Sequence, residues 1–190
     1  MSLSSLGPRS RTTSLILCAL FAALIAVGAF LRIPIPTVPF TLQWLFVLLA
    51  GLILGPRWGM ASVGLYLFMG LVGLPIFAEG GGIGYVLKPS FGYLIGFLLA
   101  AGVVGILARK PQSMGLTRLV CAALAGLGVV YLCGLVYFAL ISDLVLGTPI
   151  GLWPLLLYGL ILAIPGDIAL CLIAALVVKK LSFATGENLT

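Results

Sequence analysis

Two of the four acids in this sequence stand where a charge needs a reason. Asp167 lies in AIPGDIALCLIAALVV, well inside an apolar stretch. A carboxylate at the centre of a bilayer costs about 2.5–3.5 kcal/mol, so it must face a polar partner or a cavity. Pro165 and Gly166 just before it would loosen a helix and free backbone groups for hydrogen bonding. Satisfaction by those N–H groups competes with contact to a ligand, and an intramembrane acid favours the ligand. Glu79 and Lys88 bracket a glycine run in FAEGGGIGYVLKPSFGY, between two long apolar runs. A merely solvated loop has no use for Phe77, Tyr85 and Tyr93 beside those charges. Glycines such as Gly81 let a backbone approach a ligand closely and let a loop move. The stretch is therefore expected to be a lid over an outward-facing pocket. Thr41 and Gln43 follow Pro39 and Phe40. Neutral hydrogen-bonding side chains there suit an amide or urea-like group, with Thr41 as a helix N-cap the alternative.

Other chemistry is excluded. The chain has no histidine, which removes Ser-His and Cys-His nucleophiles, HExxH metal sites and histidine proton relays. No paired carboxylates on one helix suggest an intramembrane enzyme. Gly82 and Gly84 begin a Gly-x-Gly pattern, but Leu87 stands where a third glycine belongs, and no phosphate-binding loop occurs anywhere. Cys18, Cys121, Cys133 and Cys171 match no zinc or disulfide spacing and read as buried small hydrophobes. No metal or cofactor is expected. Glu187 falls in a polar tail, and Asp143 is expected in a solvated outer loop.

The elements that must position these residues are set by lipid. The chain has 190 residues, 63% of them hydrophobic and only 7% charged, and its mean hydropathy is +1.33. A soluble domain carries charge on about a quarter of its residues; this one cannot cover itself in water. A membrane helix needs about 20 mostly apolar residues. Six candidates run near Thr13–Leu31, Leu42–Leu54, Arg57–Leu74, Phe91–Ala108, Arg118–Ile141 and Trp153–Val178. The fold class is thus an all-α membrane protein with one domain over 13–181 between tails 1–12 and 182–190. The apolar runs are too long, and too free of alternation, for barrel strands. The first run is longer than a signal-peptide core and lacks a cleavage site.

The formal charge of +6 is spread over the ends of apolar runs, which sets topology rather than binding nucleic acid. With the N-terminus in the cytoplasm, eight basic residues lie inside: Arg9, Arg11, Arg57, Arg109, Lys110, Arg118, Lys179 and Lys180. Arg32 and Lys88 lie outside, completing the ten. Both termini are therefore expected in the cytoplasm.

PFTLQ at Pro39–Gln43, GLPIFAEGGGIGYVLKPSFGYLIGF at Gly73–Phe97 and PGD at Pro165–Asp167 together resemble the BioY family, the biotin-specific S components of energy-coupling factor (ECF) transporters. The resemblance runs from about Ala19 to Leu176. It implies a six-helix subunit of an ABC-type transporter that captures biotin from the outer side and is energised by a transmembrane coupling protein and two ATPases. It implies that the ureido head bonds to Asp167 and to polar groups near Gln43, and that the aliphatic tail lies along Phe40, Phe77, Tyr85 and Tyr93. It implies that Ala19 and Ala23, four residues apart, form the face that docks the coupling protein. Family members often carry a lysine three residues after the PGD aspartate. This chain has Leu170 there, and Lys88 is expected to supply the charge from the lid. Lipoate as the ligand, or a stand-alone secondary transporter with Asp167 as a proton-linked carboxylate, are the alternatives.

Overall fold

The computed structural model describes residues 11–33, 39–108, 115–145, 147 and 150–184. The two tails, as well as Arg9, Arg109 and Lys110 of the topology count, fall largely outside this set. Helix α1 (Arg11–Phe30) leads into two short antiparallel strands, β1 (Arg32–Ile33) and β2 (Phe40–Thr41), and then α2 (Gln43–Val72). A 3-10 turn at Ile83–Leu87 precedes α3 (Phe91–Leu107) and α4 (Leu116–Leu144). Then come a short α5 (Leu152–Leu156), a π-helical turn at Leu157–Ile161, and α6 (Ile164–Ala184). The molecule is an all-helical, multi-pass membrane protein. Among the described residues, four stretches are long and apolar enough to cross a bilayer: Arg11–Phe30, Gln43–Val72, Leu116–Leu144 and Leu152–Leu181. The shorter Phe91–Leu107 is also apolar.

The α2 stretch is not one straight rod. Gly55 leaves the helix with φ 79° and ψ −178°, a backbone that a Cβ would resist, and Pro56 follows it. The two halves fold back on each other. A Cβ on Gly59 would stand 3.0 Å from the Gly51 Cα, and Gln43 hydrogen-bonds Tyr66 at 2.7 Å. Along a straight helix those last two residues would sit about 35 Å apart.

Packing follows the chain: α2 lies against α1 and α3, α3 against α4, and α6 against α2 and α4. Trp44 stacks on Phe97 at 5.8 Å, and both belong to a buried cluster with Val47, Leu48, Val63 and Tyr66. Leu132, Phe68 and Ile16 are each more than 60% exposed, which lipid rewards and water would not.

Three expectations change. The last apolar run forms one span, Leu152–Leu181, but not as uninterrupted α-helix: a π-helical turn at Leu157–Ile161 breaks it, and α6 starts at Ile164. Pro165 then occupies a first turn, where its missing N–H costs nothing. Asp143 is exposed in the last turn of α4 rather than in a loop beyond it. Cys121 is exposed on α4 and Cys133 half-buried, whereas Cys18 and Cys171 are buried as expected.

Candidate functional site

A pocket opens where β2, the start of α2, the lid segment, α3, α4, the π-helical turn and the start of α6 converge. Its empty space is about 620 Å³, part of which is open solvent at its mouth. Phe40, Thr41, Gln43, Tyr85, Tyr93 and Asp167 all line it, brought together from five separate segments. The remaining walls are mostly apolar: Trp44, Leu94, Phe97, Leu127 and Val130.

Each polar side chain in the wall is held. The Tyr131 hydroxyl donates to Asp167 Oδ2 at 2.5 Å, a short charge-assisted bond that leaves the other carboxylate oxygen open. The Asp167 backbone N–H is spent on Ala163 at 3.0 Å, so the carboxylate draws on a neighbouring helix and not on backbone freed by Pro165. Tyr93 donates to the Gly159 carbonyl at 2.7 Å, tying α3 to the π-helical turn. Trp44 donates its indole N–H to Cys171 Sγ at 3.4 Å. Ser90 and Tyr85 share a hydrogen bond at 3.4 Å, and burial pushes the Tyr85 hydroxyl above its ordinary pKa.

Gly166 has a steric task in the PGD turn. A Cβ there would lie 2.5 Å from Cζ of Phe40, so its absence lets the Phe40 ring rest on α6 beside Asp167. Thr41 does not cap α2; its hydroxyl donates to Gln43 Oε1 at 3.2 Å.

The lid segment lies folded over. Gly82 N–H bonds the Gly70 carbonyl at 2.7 Å, Arg32 donates to the Ala78 carbonyl, and Tyr137 donates to the Val86 carbonyl. Ala78, Tyr85 and Ser90 reach the pocket from it. Phe77, Glu79, Gly81 and Lys88 do not line the pocket. Phe77 is buried behind Tyr85, ring centroids 4.6 Å apart. Gly81 presses on the Leu74 carbonyl, where a Cβ would stand only 2.1 Å away. Lys88 pairs with Glu79 at 3.3 Å on the surface, its ammonium 5.0 Å above the Tyr85 ring.

The sequence reading missed Tyr131, Trp44 and Ser90. A signal for Tyr131 existed, since a phenol in mid-span of an apolar helix needs a polar partner and Asp167 needs a donor. No metal-binding cluster occurs among the described residues.

A model of the BioY family matches residues 3–187. The chain belongs to the BioY family. A Lysinibacillus sphaericus relative described as a probable biotin transporter BioY is 44% identical over 90% of this chain and 87% of its own. A Thermotoga maritima biotin transporter BioY is 38% identical over 88% of this chain and 96% of its own. Among solved structures, the 2.1 Å crystal structure of the S-component for biotin from an ECF-type ABC transporter superposes with a TM-score of 0.79. It is 29% identical and covers 93% of this chain and 94% of that one. The S-component fold therefore holds for this BioY family member.

Proposed function

We propose that this chain is the biotin-binding S component of an ECF-type ABC transporter, a transport subunit in the prokaryotic cell membrane and not an enzyme. The observation that carries the reading is Asp167 in the wall of a largely apolar pocket beside Thr41 and Gln43, with Tyr131 bonded to only one of its carboxylate oxygens. An acceptor buried in apolar walls selects an N–H donor on a compact, largely apolar ligand. A bicyclic urea with an aliphatic acid tail has that character.

The ureido head lies against Asp167, Thr41 and Gln43, and the tail runs along Phe40, Tyr93 and Tyr85, with Phe77 backing Tyr85. Removing the tail from water contributes about 0.8 kcal/mol per CH₂. The Tyr85–Ser90 pair holds two hydroxyl hydrogens and spends one between them. One O–H is thus left for the ligand's carboxylate, and Lys88 above the ring adds positive potential at that end. Glu79 holds Lys88 in place, and Gly81 seats the lid.

Gly55 divides α2 into two crossings, giving six transmembrane segments with both termini cytoplasmic and the lid outside. Ala19 and Ala23 are exposed on the outer face of α1, where small side chains allow a coupling-protein helix to approach closely. Two ATPases supply the energy.

The test is uptake of labelled biotin in cells lacking their own biotin transporter. Accumulation that needs this chain together with an ATP-hydrolysing partner module supports the reading. Accumulation that follows the proton gradient with the ATPases inactivated favours the secondary transporter, and selective binding of lipoate over biotin overturns the ligand assignment.

A further inference from the structure

We propose that Tyr66, which does not line the pocket, is a positioning residue that fixes Thr41 as a hydrogen-bond acceptor and so makes the site read a ring N–H on its ligand. The inference rests on the biotin reading above.

The chain of bonds runs one way only. Its far end is the backbone carbonyl of Ile76, to which the Tyr66 hydroxyl lies at 3.3 Å. A carbonyl can only accept, so Tyr66 gives it its single hydrogen. The Tyr66 oxygen is then left to accept, and Gln43 Nε2 donates to it at 2.7 Å. That turns the Gln43 amide so that Oε1 faces Thr41, whose hydroxyl stands 3.2 Å away. Oε1 can only accept, so Thr41 spends its only hydrogen there. What Thr41 then offers the pocket is lone pairs. Tyr66 is fully buried, and Thr41 and Gln43 nearly so.

Asp167 offers the pocket the same polarity, because Tyr131 occupies one carboxylate oxygen and leaves the other. Two acceptors contributed by different segments suit the two N–H groups of a cyclic urea. The same wall rejects a ligand of equal shape whose N–H has become an ether oxygen, since acceptor would then meet acceptor. Tyr66 also anchors this polarity to the start of the lid, because Ile76 directly precedes Phe77.

The test compares two ligands on purified full-length protein in detergent: biotin, and the cyclic carbamate analogue with one ring N–H replaced by oxygen. The wild type is expected to prefer biotin by about tenfold or more. Tyr66→Phe keeps the ring and removes only the hydroxyl, freeing the Gln43 amide to turn and Thr41 to donate. The preference is expected to fall toward parity for whichever ring position faces Thr41, chiefly through tighter carbamate binding, which a structural lesion would not produce. Should Tyr66→Phe not accumulate, Thr41→Val must lose the preference and Thr41→Ser must keep it. An unchanged preference in Tyr66→Phe, or in Thr41→Val, overturns the proposal while leaving the biotin reading intact. Absence of biotin binding by the wild type overturns that reading and this one with it.

Discussion

Replacing Asp167 by asparagine tests the site through a consequence of its hydrogen bonds. Tyr131 donates to Asp167 Oδ2 at 2.5 Å, and asparagine has one oxygen with which to accept. In Asp167→Asn that oxygen goes to Tyr131, which turns the amide nitrogen toward the pocket. The ligand's N–H then faces another N–H where it had faced an acceptor. Opposed donors with no water between them cost about 1–3 kcal/mol, so biotin affinity is expected to fall by about 5- to 150-fold. The second substitution is the informative one. In Tyr131→Phe/Asp167→Asn the hydroxyl is gone, and the amide is free to turn its oxygen to the ligand. One neutral hydrogen bond returns, worth about 1 kcal/mol, and the double variant is expected to bind about fivefold tighter than Asp167→Asn alone. Isothermal titration of each variant with biotin in detergent reads both effects. Affinity of Asp167→Asn within twofold of the wild type would refute ligand contact. A double variant weaker than the single one would refute the polarity assigned to the Tyr131 bond.

Other outcomes follow from the same geometry. Gly166→Ala places a Cβ against the Phe40 ring; overpacking of this kind costs about 1–3 kcal/mol and is expected to lower biotin affinity, with retained affinity contradicting the placement of Phe40. Glu79→Gln breaks a surface ion pair of a kind worth about 0–1 kcal/mol, so melting temperature should hardly move, and a large fall would mean the pair braces the lid. Burial holds the Tyr85 hydroxyl above its ordinary value, so its contribution is fully present below the unfolded value of about 10 and lost as pH rises toward the folded one. Tyr85→Phe should therefore soften the alkaline loss of thermal stability, and melting curves taken across that range would detect a failure to do so.

Much of the architecture was legible because lipid imposes a blunt rule. Apolar length alone placed α1, α3 and α4 to within a few residues, since a spanning helix must satisfy its own backbone. Asp167 stood out for the same reason. Local geometry was less legible. Pro165 and Gly166 signalled a disturbance of the last apolar run, but the π-helical turn lies upstream at Leu157–Ile161, where Tyr93 reaches across from α3 to Gly159. That contact is tertiary, and no spacing within the run encodes it. The strand pair Arg32–Ile33 and Phe40–Thr41 is too short to leave a periodic signature. Thr41 had the residue type of a cap, yet it lies in β2, and Leu42 takes the cap position of α2. Tyr131 escaped notice because an aromatic on an apolar helix reads as core until its partner's position is known, and that partner lies 36 residues away. Lys88 was expected to face the ligand; its bond to Glu79 depends on a lid fold set by glycines at positive φ, Gly80 and Gly82, which a charge pattern does not reveal.

The biotin assignment requires that this chain alone, without its energising partners, enclose the ligand. Equilibrium dialysis of the purified full-length protein against labelled biotin tests it most directly. Saturable binding of one biotin per chain is expected, displaced by unlabelled biotin and not by equal lipoate. Binding that fails to saturate, or that lipoate displaces as readily, would contradict it.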